Sequence, residues 1–333
     1  MLSIRSHVLP AAIALTSIAL TALQPAAAAE NQLKPLSLRL NWQMKGEFTP
    51  FVVAVQQGYF REQGLDVKVA EGSSATQALQ SVASGQDDIA YVPSVQLIKA
   101  VNQGMPVKAI ATVVKVDSMG MVSTAKIPLS SPSDLQGRSV EISAASTFSQ
   151  IWDAFARKNK IDVSKVNVVR VAPGARFNLL LSGKVDILAD IFMTNEYPVL
   201  LTKGQKLNTL KIGDYGFPLI GYTLVASNRV IKQKVDLVKR FNAAAAKGFQ
   251  FTMDNPDKAS EIAAKAYPQQ LQEGVTKGQV KELVDFMKLG EPRQLFLGSD
   301  DSWSKTIALL KDSGVISEQK PASAYYTNQF VPK

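Results

Sequence analysis

The chain has 333 residues, of which 46% are hydrophobic, and 37 lysine and arginine residues against 28 acidic residues give it a formal net charge of +9. It contains no cysteine and one histidine, His7, which excludes disulfides, thiol chemistry, histidine-based catalytic triads and the common zinc sites beyond that residue. The length accommodates two lobes, and the basic residues never form a run of four, so the charge does not indicate a nucleic-acid partner.

The first 29 residues have the pattern of a secretory signal peptide. Arg5 precedes an almost wholly apolar run from Leu9 to Leu23, and the alanine cluster 26–29 offers small residues at a cleavage site. A membrane anchor is the competing interpretation, but a spanning helix needs about 20 apolar residues, and Gln24-Pro25 interrupts this run earlier. We expect cleavage before Glu30 and release into the periplasm, without a lipid anchor because cysteine is absent.

The stretch from Leu38 to Val69 predicts one complete strand–helix–strand unit. Its apolar residues first alternate with polar ones, as in a half-buried strand that ends at Asn41 and Trp42. A polar loop that includes Phe48 follows, and then a short apolar helix and a second alternating strand. In open α/β sheets ligands bind outside the carboxyl ends of the strands, where Asn41, Trp42 and the loop lie. A core position for Trp42 is the alternative.

This unit resembles the opening of solute-binding proteins of ABC importers, most specifically in the string Gly58-Tyr59-Phe60-x-x-x-Gly64-Leu65-Asp66-Val67. It is similar to the group that serves nitrate, alkanesulfonates, taurine and pyrimidine thiamin precursors, and a weaker similarity continues to about residue 315. The resemblance implies an α/β protein with the two-lobed type II periplasmic binding-protein fold, in which a hinge closes two lobes over a ligand in the cleft.

Polar and aromatic side chains follow further strands at the predicted edge of the cleft. Each of these turns opens a helix, so capping of the helix N-terminus is one interpretation. Exposed amides and hydroxyls at such an end also suit an anion or a polar ligand edge. The residues concerned are Ser73, Ser74, Tyr91, Ser94 and Ser146.

An internal repeat supports the two-lobed organisation. The segments Ser84–Ile89 and Ser182–Ile187 share the pattern Ser-Gly-x-x-Asp-Ile, and each follows an amphipathic helix and opens a strand. The residues after the two strands should then face each other across the cleft. These residues are 91–94 on one side and 190–196, beginning with Asp190, on the other.

The segment Thr194-Asn195-Glu196 resembles the Thr-Asn-Glu-Pro segment of many relatives, with Tyr197 before the proline as a departure. In the pyrimidine-binding members a glutamate at this point meets the ring edge of the ligand, and the resemblance implies that role for Glu196. Capping of the next helix by Asn195 and Glu196 is the alternative.

The remaining chain predicts the return to the first lobe and a helical end. Tyr215 lies in a turn-rich segment that we interpret as the return hinge, and the pattern from Asn228 onward is helical. In the family, such helices pack on the first lobe. We expect a signal peptide at 1–29, lobe one at 30–125 plus 220–333, lobe two at 126–219, and crossings near 123–128 and 215–222.

We therefore expect a monomeric periplasmic solute-binding protein, not an enzyme, that delivers a small molecule to an ABC permease in the inner membrane without a cofactor, metal or nucleic acid. The few basic groups near the candidate pocket are Lys45, Lys115 and Arg176. This favours a pyrimidine-like thiamin precursor or another small nitrogen heterocycle; an alkanesulfonate, taurine or nitrate-like anion, or a carboxylate-based hydrolase, are the alternatives. The predicted ligand-binding residues are Asn41, Trp42, Phe48, Ser73, Ser74, Tyr91, Ser94, Ser146, Asp190, Asn195, Glu196 and Tyr215.

Overall fold

The computed structural model describes residues 33–143, 146–171 and 173–333, together with residue 2. Residues 1–32 form a unit separate from residues 33–333, and the predicted signal peptide lies outside the described residues. Within the described ranges, no helix is both long enough and apolar enough to cross a membrane.

The first of two mixed sheets consists of β1 (Lys34–Leu40), β2 (Leu65–Ala70), β3 (Ile89–Pro93), β4 (Val107–Thr112) and β10 (Tyr222–Ser227). Their order is β2-β1-β3-β10-β4. β10 returns from far along the chain and runs antiparallel to both of its neighbours. β3 and β10 are buried along their whole length, as expected for central strands covered on both faces, whereas β1 alternates between buried and partly exposed residues.

The second sheet consists of β5 (Met119–Thr124), β6 (Ser139–Glu141), β7 (Asn167–Val169), β8 (Ile187–Phe192) and β9 (Leu207–Lys211). The order is β7-β6-β8-β5-β9, with β5 antiparallel to both neighbours. The two sheets thus have the same arrangement. In each, the antiparallel strand follows directly along the chain from a strand of the other sheet: β5 follows β4, and β10 follows β9. We call the units built on the first and second sheets the first and second lobes.

The two aspartates of the repeated pattern make the same contacts in both lobes. Asp88 accepts a hydrogen bond from the backbone of Ser37 at 3.1 Å, and the Ser37 hydroxyl accepts from the backbone of Asp88 at 2.9 Å. Asp186 and Ser139 repeat this exchange at 2.8 and 2.9 Å. The pattern therefore marks the point where the pairing of two parallel strands begins.

The predicted first crossing between the lobes needs correction. β5 pairs with β8 and β9 of the second sheet, so the chain leaves the first lobe at residues 113–118, before β5, and not at 123–128. The return crossing occupies residues 212–221. The two segments run side by side, because Gly221 donates to Val114 and Asp117 donates to Leu219, at 2.9 and 2.8 Å. A strand that is buried over nearly its whole length does not show in its sequence which sheet it will join, which explains the error.

The helices of the first lobe are α1 (Thr49–Gln56), α2 (Tyr59–Glu62), α3 (Ala75–Ser84), α4 (Ser94–Asn102), α8 (Asn228–Gln233), α9 (Val235–Asp254), α10 (Pro256–Ala266), α11 (Glu273–Met287) and α12 (Asp300–Asp312). Those of the second are α5 (Thr147–Lys158), α6 (Arg176–Leu181) and α7 (Glu196–Leu201). The C-terminal helices pack on the first lobe, as predicted. Gly248 of α9 approaches α1 so closely that a Cβ there would lie 2.3 Å from the Pro50 carbonyl oxygen. Trp303 of α12 is fully buried and donates to the Thr112 hydroxyl at 3.1 Å.

Candidate functional site

A small cavity lies between the two lobes, where the carboxyl ends of β1, β3 and β8 meet, and we call it the interlobe cavity. Its volume is about 170 Å³, which suits one small ring, since pockets for drug-sized ligands occupy roughly 300–1,000 Å³. The first lobe contributes Asn41, Ala75, Pro93, Gln96 and Tyr222 to its wall. The second lobe contributes Met119, Ser146, Thr147, Asp190 and Phe192.

A larger groove of about 590 Å³ lies elsewhere, between α10 and α11. It belongs to the first lobe alone and is edged by charged residues, among them Asp257, Lys277 and Asp285. Closure of the two lobes could not enclose a ligand there. The interlobe cavity is therefore the better candidate, although it is smaller.

Three predicted binding residues, Asn41, Ser146 and Asp190, line the interlobe cavity. Asn41 directly follows β1, and its side-chain oxygen is buried without a hydrogen-bond partner among the described residues. Ser146 caps α5 by accepting from the backbone of Ser149 at 3.0 Å, and its side chain also hydrogen-bonds Asp190. Ser146 thus both caps α5 and lies in the cavity wall.

The other predicted serines lie outside the cavity wall. Ser73 is exposed, and Ser74 caps α3 by accepting from the backbone of Gln77 at 3.1 Å. Ser94 is fully buried and donates its hydroxyl to the Ile220 carbonyl at 2.6 Å. The capping interpretation accounts for Ser74, and Ser94 fastens the return crossing to the start of α4.

Two predicted aromatic residues belong to the core. Phe48 is fully buried and meets Tyr91 edge-on with 6.0 Å between ring centroids. Tyr91 in turn stacks on Tyr222 at 4.9 Å. Tyr222 was predicted only as a strand residue. It lines the cavity together with Phe192, and their ring centroids lie 6.4 Å apart.

The remaining two predicted aromatic residues are Trp42, on the surface, and Tyr215, in the return crossing. Trp42 is 43% exposed, with the Lys45 ammonium 5.8 Å from its ring centroid, so the core alternative is wrong. Tyr215 is half-buried and donates its hydroxyl to the Ser130 carbonyl at 2.8 Å. Neither residue lines the interlobe cavity.

Asn195 and Glu196 support the cavity wall from behind. The Glu196 carboxylate accepts from the backbone of Phe192 at 2.9 Å and so holds the end of β8. Asn195 accepts two hydrogen bonds of 3.1 Å from Gln279, a buried residue of α11, and Gln279 accepts from the backbone of Gly46 at 2.7 Å. Gln279 therefore joins the two lobes; a polar residue on the buried face of a helix was the only sequence signal for it.

Two buried carboxylates, both missed from the sequence, lie where the lobes meet. Burial raises the pKa of Glu47 to about 7, and it raises the pKa of Asp117 to about 7 as well. Glu47 accepts from the Thr194 hydroxyl at 3.3 Å across the lobes, and Asp117 accepts from the backbone of Met119 at 2.7 Å. Burial raises the pKa of Tyr222, a residue of the cavity wall, and both carboxylates add to that shift.

Two of the three basic residues predicted near the site are already engaged in contacts. Arg176, at the start of α6, forms ion pairs with Asp190 and, at 3.0 Å, with Glu141. Lys115 donates to the Gln294 carbonyl at 2.8 Å. None of the described residues that line the cavity is a lysine or an arginine, so the wall offers neutral polar groups and the Asp190 carboxylate but no free cation.

Two hydrogen bonds join α4 to α5 at the rim of the cavity. Gln96 donates to the Thr147 hydroxyl at 2.7 Å, and the Lys99 ammonium donates to the side-chain oxygen of Gln150 at 2.9 Å. Each bond connects one lobe to the other. Opening of the cleft would break both, so they hold the cavity in its enclosed form.

Comparison with known proteins places these features in a family. The model of the family described as NMT1/THI5 like matches residues 45–259. The chain belongs to the NMT1/THI5-like family. That match includes nearly all of both sheets and every residue of the interlobe cavity except Asn41.

Three relatives of this chain match it along most of its length. The formylaminopyrimidine-binding protein of Halalkalibacterium halodurans is 26% identical over 84% of this chain and 86% of its own. The riboflavin-binding protein RibY of Chloroflexus aurantiacus is 25% identical, over 92% and 89%. The 4-amino-5-hydroxymethyl-2-methylpyrimidine phosphate synthase of Legionella pneumophila is 23% identical, over 89% and 92%.

A solved structure confirms the predicted fold. The alkanesulfonate-binding protein SsuA from Xanthomonas axonopodis pv. citri, bound to MOPS, superposes with a TM-score of 0.67 over 88% of this chain and 98% of its own. The two sequences are 15% identical, so this likeness concerns the fold alone. The NMT1/THI5-like chain therefore has the two-lobed α/β fold of periplasmic binding proteins, as the sequence predicted.

Proposed function

We propose that this protein is the periplasmic solute-binding component of an ABC importer and that it encloses a small planar nitrogen heterocycle, a pyrimidine-like thiamin precursor in the first instance, between its lobes. The ligand enters the open cleft, the lobes close over it, and the loaded protein delivers it to a permease in the inner membrane. One observation carries the proposal. The interlobe cavity is built by both lobes, has the size of one ring, and combines aromatic rings with hydrogen-bond acceptors.

The composition of the cavity wall favours a heterocycle over the anions that the sequence left open. Phe192 and Tyr222 offer aromatic surface for contact with a flat ligand. Asn41 and Asp190 offer oxygens to N–H groups. A sulfonate would meet the Asp190 carboxylate in the wall without a free cation, since the Arg176 guanidinium is already paired with two carboxylates. Two relatives are named as binding a formylaminopyrimidine and riboflavin, and these names also favour a nitrogen heterocycle.

An enzyme is the second candidate function, because one relative is named as a pyrimidine phosphate synthase. Beyond His7 this chain has neither histidine nor cysteine, so a reaction would depend on carboxylates or lysines. Among the described residues of the cavity wall, Asp190 alone is such a group. Binding without chemical change is the function that this wall supports best.

A ligand screen by thermal unfolding tests the proposal. The mature protein, beginning at Glu30, is heated with 4-amino-5-hydroxymethyl-2-methylpyrimidine, with riboflavin or with MOPS, each at a concentration far above micromolar. Binding to the folded state stabilises it by RT ln(1 + [L]/Kd), so a ligand at 100 times its Kd contributes about 2.7 kcal/mol. We expect the midpoint to rise with the aminopyrimidine and not with MOPS. A rise with MOPS alone, or conversion of the pyrimidine to a product, would contradict the proposal.

Tryptophan fluorescence should report the closure of the lobes. Trp42 is partly exposed at the end of β1, whereas Trp152 and Trp303 are buried inside their lobes. Closure on a ligand changes the water around Trp42 and leaves the other two indoles in place. We expect the titration with the aminopyrimidine to change the emission of the wild type and Trp42→Phe to lose most of that change.

The matched control is Trp152→Phe, which should keep the signal because its indole lies in the core of the second lobe. Circular dichroism verifies that both variants are folded. If Trp42→Phe retains the full response, the indole does not sense the cleft, and the predicted role of Trp42 must be abandoned.

A further inference from the structure

Asp190 occupies an irregular position in β8 that turns its side chain into the interlobe cavity. In the pairing of β5 with β8, Gly120 faces Ile191 and Met121 faces Ala189, so Asp190 is the extra residue of a β-bulge. Its φ of 74° lies in the left-handed region, which glycine adopts freely and other residues adopt at a cost. Bulges next to binding sites commonly redirect a side chain, and here the redirected side chain is a carboxylate.

The charge around Asp190 is not balanced. Asp190 and the fully buried Glu141 share one guanidinium, that of Arg176, which leaves one negative charge in excess. The backbone of Ser143 donates to Asp190 at 2.9 Å, and the Ser143 hydroxyl donates to Glu141 at 3.0 Å, but neither group carries charge. Glu196, the next acidic group acting on Arg176, adds a further negative charge. A buried excess charge of this kind is costly unless a cation or strong donors compensate for it.

Two other acceptors beside the same cavity, unlike the Asp190 carboxylate, have no donor among the described residues. The side-chain oxygens of Asn41 and Gln96 are buried and have no hydrogen-bond partner in the described part of the chain. Both residues line the cavity together with Asp190. Three residues that carry side-chain oxygens thus line one small volume. A ligand with N–H donors there compensates the excess charge at Asp190, whereas a ligand with acceptors would leave that charge and the Asn41 and Gln96 oxygens uncompensated.

We propose that Asp190 determines ligand specificity by accepting hydrogen bonds from an amidine-like edge, a ring nitrogen with an adjacent amino group, and that the cavity discriminates against oxo analogues and anions. This inference rests on the proposed function, since it assumes that the interlobe cavity is the binding site. The amino group and the protonated ring nitrogen bring the donors and the positive charge that the cluster lacks. Arg176 acts as a positioning residue that holds the carboxylate in place.

Calorimetry with a matched pair of probes tests the inference. The probes are 4-amino-2-methylpyrimidine and its 4-oxo analogue, which differ in the donor or acceptor character of one edge. We expect the wild type to bind the amino probe at least about tenfold more tightly, the contribution of one charge-assisted hydrogen bond. Asp190→Asn should reduce the preference to about threefold or less while leaving the affinity for the oxo probe nearly unchanged.

Two further variants make the result decisive. Asp190→Gly fits the left-handed backbone without strain and should lose the preference as well, so a fold defect in Asp190→Asn cannot produce the same answer. Asp186→Asn removes a carboxylate that lies at the start of the same strand but outside the cavity wall, so this variant should keep the preference for the amino probe. Equal binding of both probes by the wild type, or an equal loss for both in Asp190→Asn, would overturn the inference and leave the proposed function standing. Binding of neither probe, or of MOPS alone, would overturn both.

Discussion

Replacement of Glu47 by glutamine is expected to stabilise the protein by about 2–3 kcal/mol at pH 8 and to leave its stability at pH 5 nearly unchanged. Glu47 is 3% exposed, and burial raises its pKa from 4.5 to about 7. Asp117 and Glu196 raise the pKa further, while Lys45 and the Thr194 hydroxyl oppose the shift. Each pKa unit corresponds to about 1.4 kcal/mol.

The direction follows from proton binding. Between pH 4.5 and 7 the folded protein keeps a proton on Glu47 that the unfolded chain has released. The free energy of unfolding therefore falls as pH rises through this window and levels off above it. Glutamine keeps the shape of the protonated acid and can still accept from Thr194, but it does not ionise. The pKa of Asp117 is raised as well, so Asp117 still contributes its own part of the pH dependence of the unfolding free energy in the variant.

Urea unfolding at pH 5, 6, 7 and 8, at constant ionic strength, measures this effect. The control is Glu62→Gln, since Glu62 is an exposed carboxylate that pairs with Lys247 on the surface, and its removal should change stability by less than about 1 kcal/mol at every pH. If Glu47→Gln follows the pH dependence of the wild type, the carboxylate is hydrated in solution and the enclosed contact between the lobes is not the populated form.

Removal of the Arg176 guanidinium should have the opposite and larger effect. We expect Arg176→Ala to lose roughly 3–5 kcal/mol of stability at pH 8, because it leaves Glu141 and Asp190 buried without a cation. The loss relative to the wild type should be smaller at pH 5, where these carboxyls, whose pKa values burial already raises, can take up protons. Thermal and urea unfolding at both pH values measure the difference.

The control for this prediction is Arg293→Ala. Arg293 pairs with Glu291 on the surface with both side chains about two-thirds exposed, and loss of that pair should cost less than about 1 kcal/mol. A second variant, Arg176→Met combined with Glu141→Gln, removes one charge of each sign and should recover part of the stability. Equal losses for Arg176→Ala and Arg293→Ala would show that the buried ion pairs contribute little.

The order of elements could be predicted from the sequence because each has its own local signal. The strand–helix–strand unit, the Ser-Gly-x-x-Asp-Ile repeat and the helical end all appear in the structure. The lobe assignment of β5 could not be predicted, because it depends on pairing with β8 and β9 and not on local pattern. Strand pairing between residues far apart in sequence is set by the whole fold.

The candidate site was predictable only in part. Asn41, Ser146 and Asp190 were found because they follow strands or open helices at the cleft edge. Tyr91 lies in a strand that is buried on both faces, where alternation does not show which side chains meet a cavity. Glu47 was missed because the segment 43–49 is polar in sequence, whereas most of it is buried beneath α11. The bulge that redirects Asp190 arises from the register of two strands and leaves no mark in the sequence.

A crystal structure of the mature protein with 4-amino-5-hydroxymethyl-2-methylpyrimidine tests the central claim most directly. We expect density for the ring in the interlobe cavity, against the Phe192 and Tyr222 side chains, with the amino nitrogen within hydrogen-bond distance of the Asp190 carboxylate. The bonds from Gln96 to Thr147 and from Lys99 to Gln150 should be present in the complex. Density for the ligand in the groove between α10 and α11, with the interlobe cavity empty, would contradict the account.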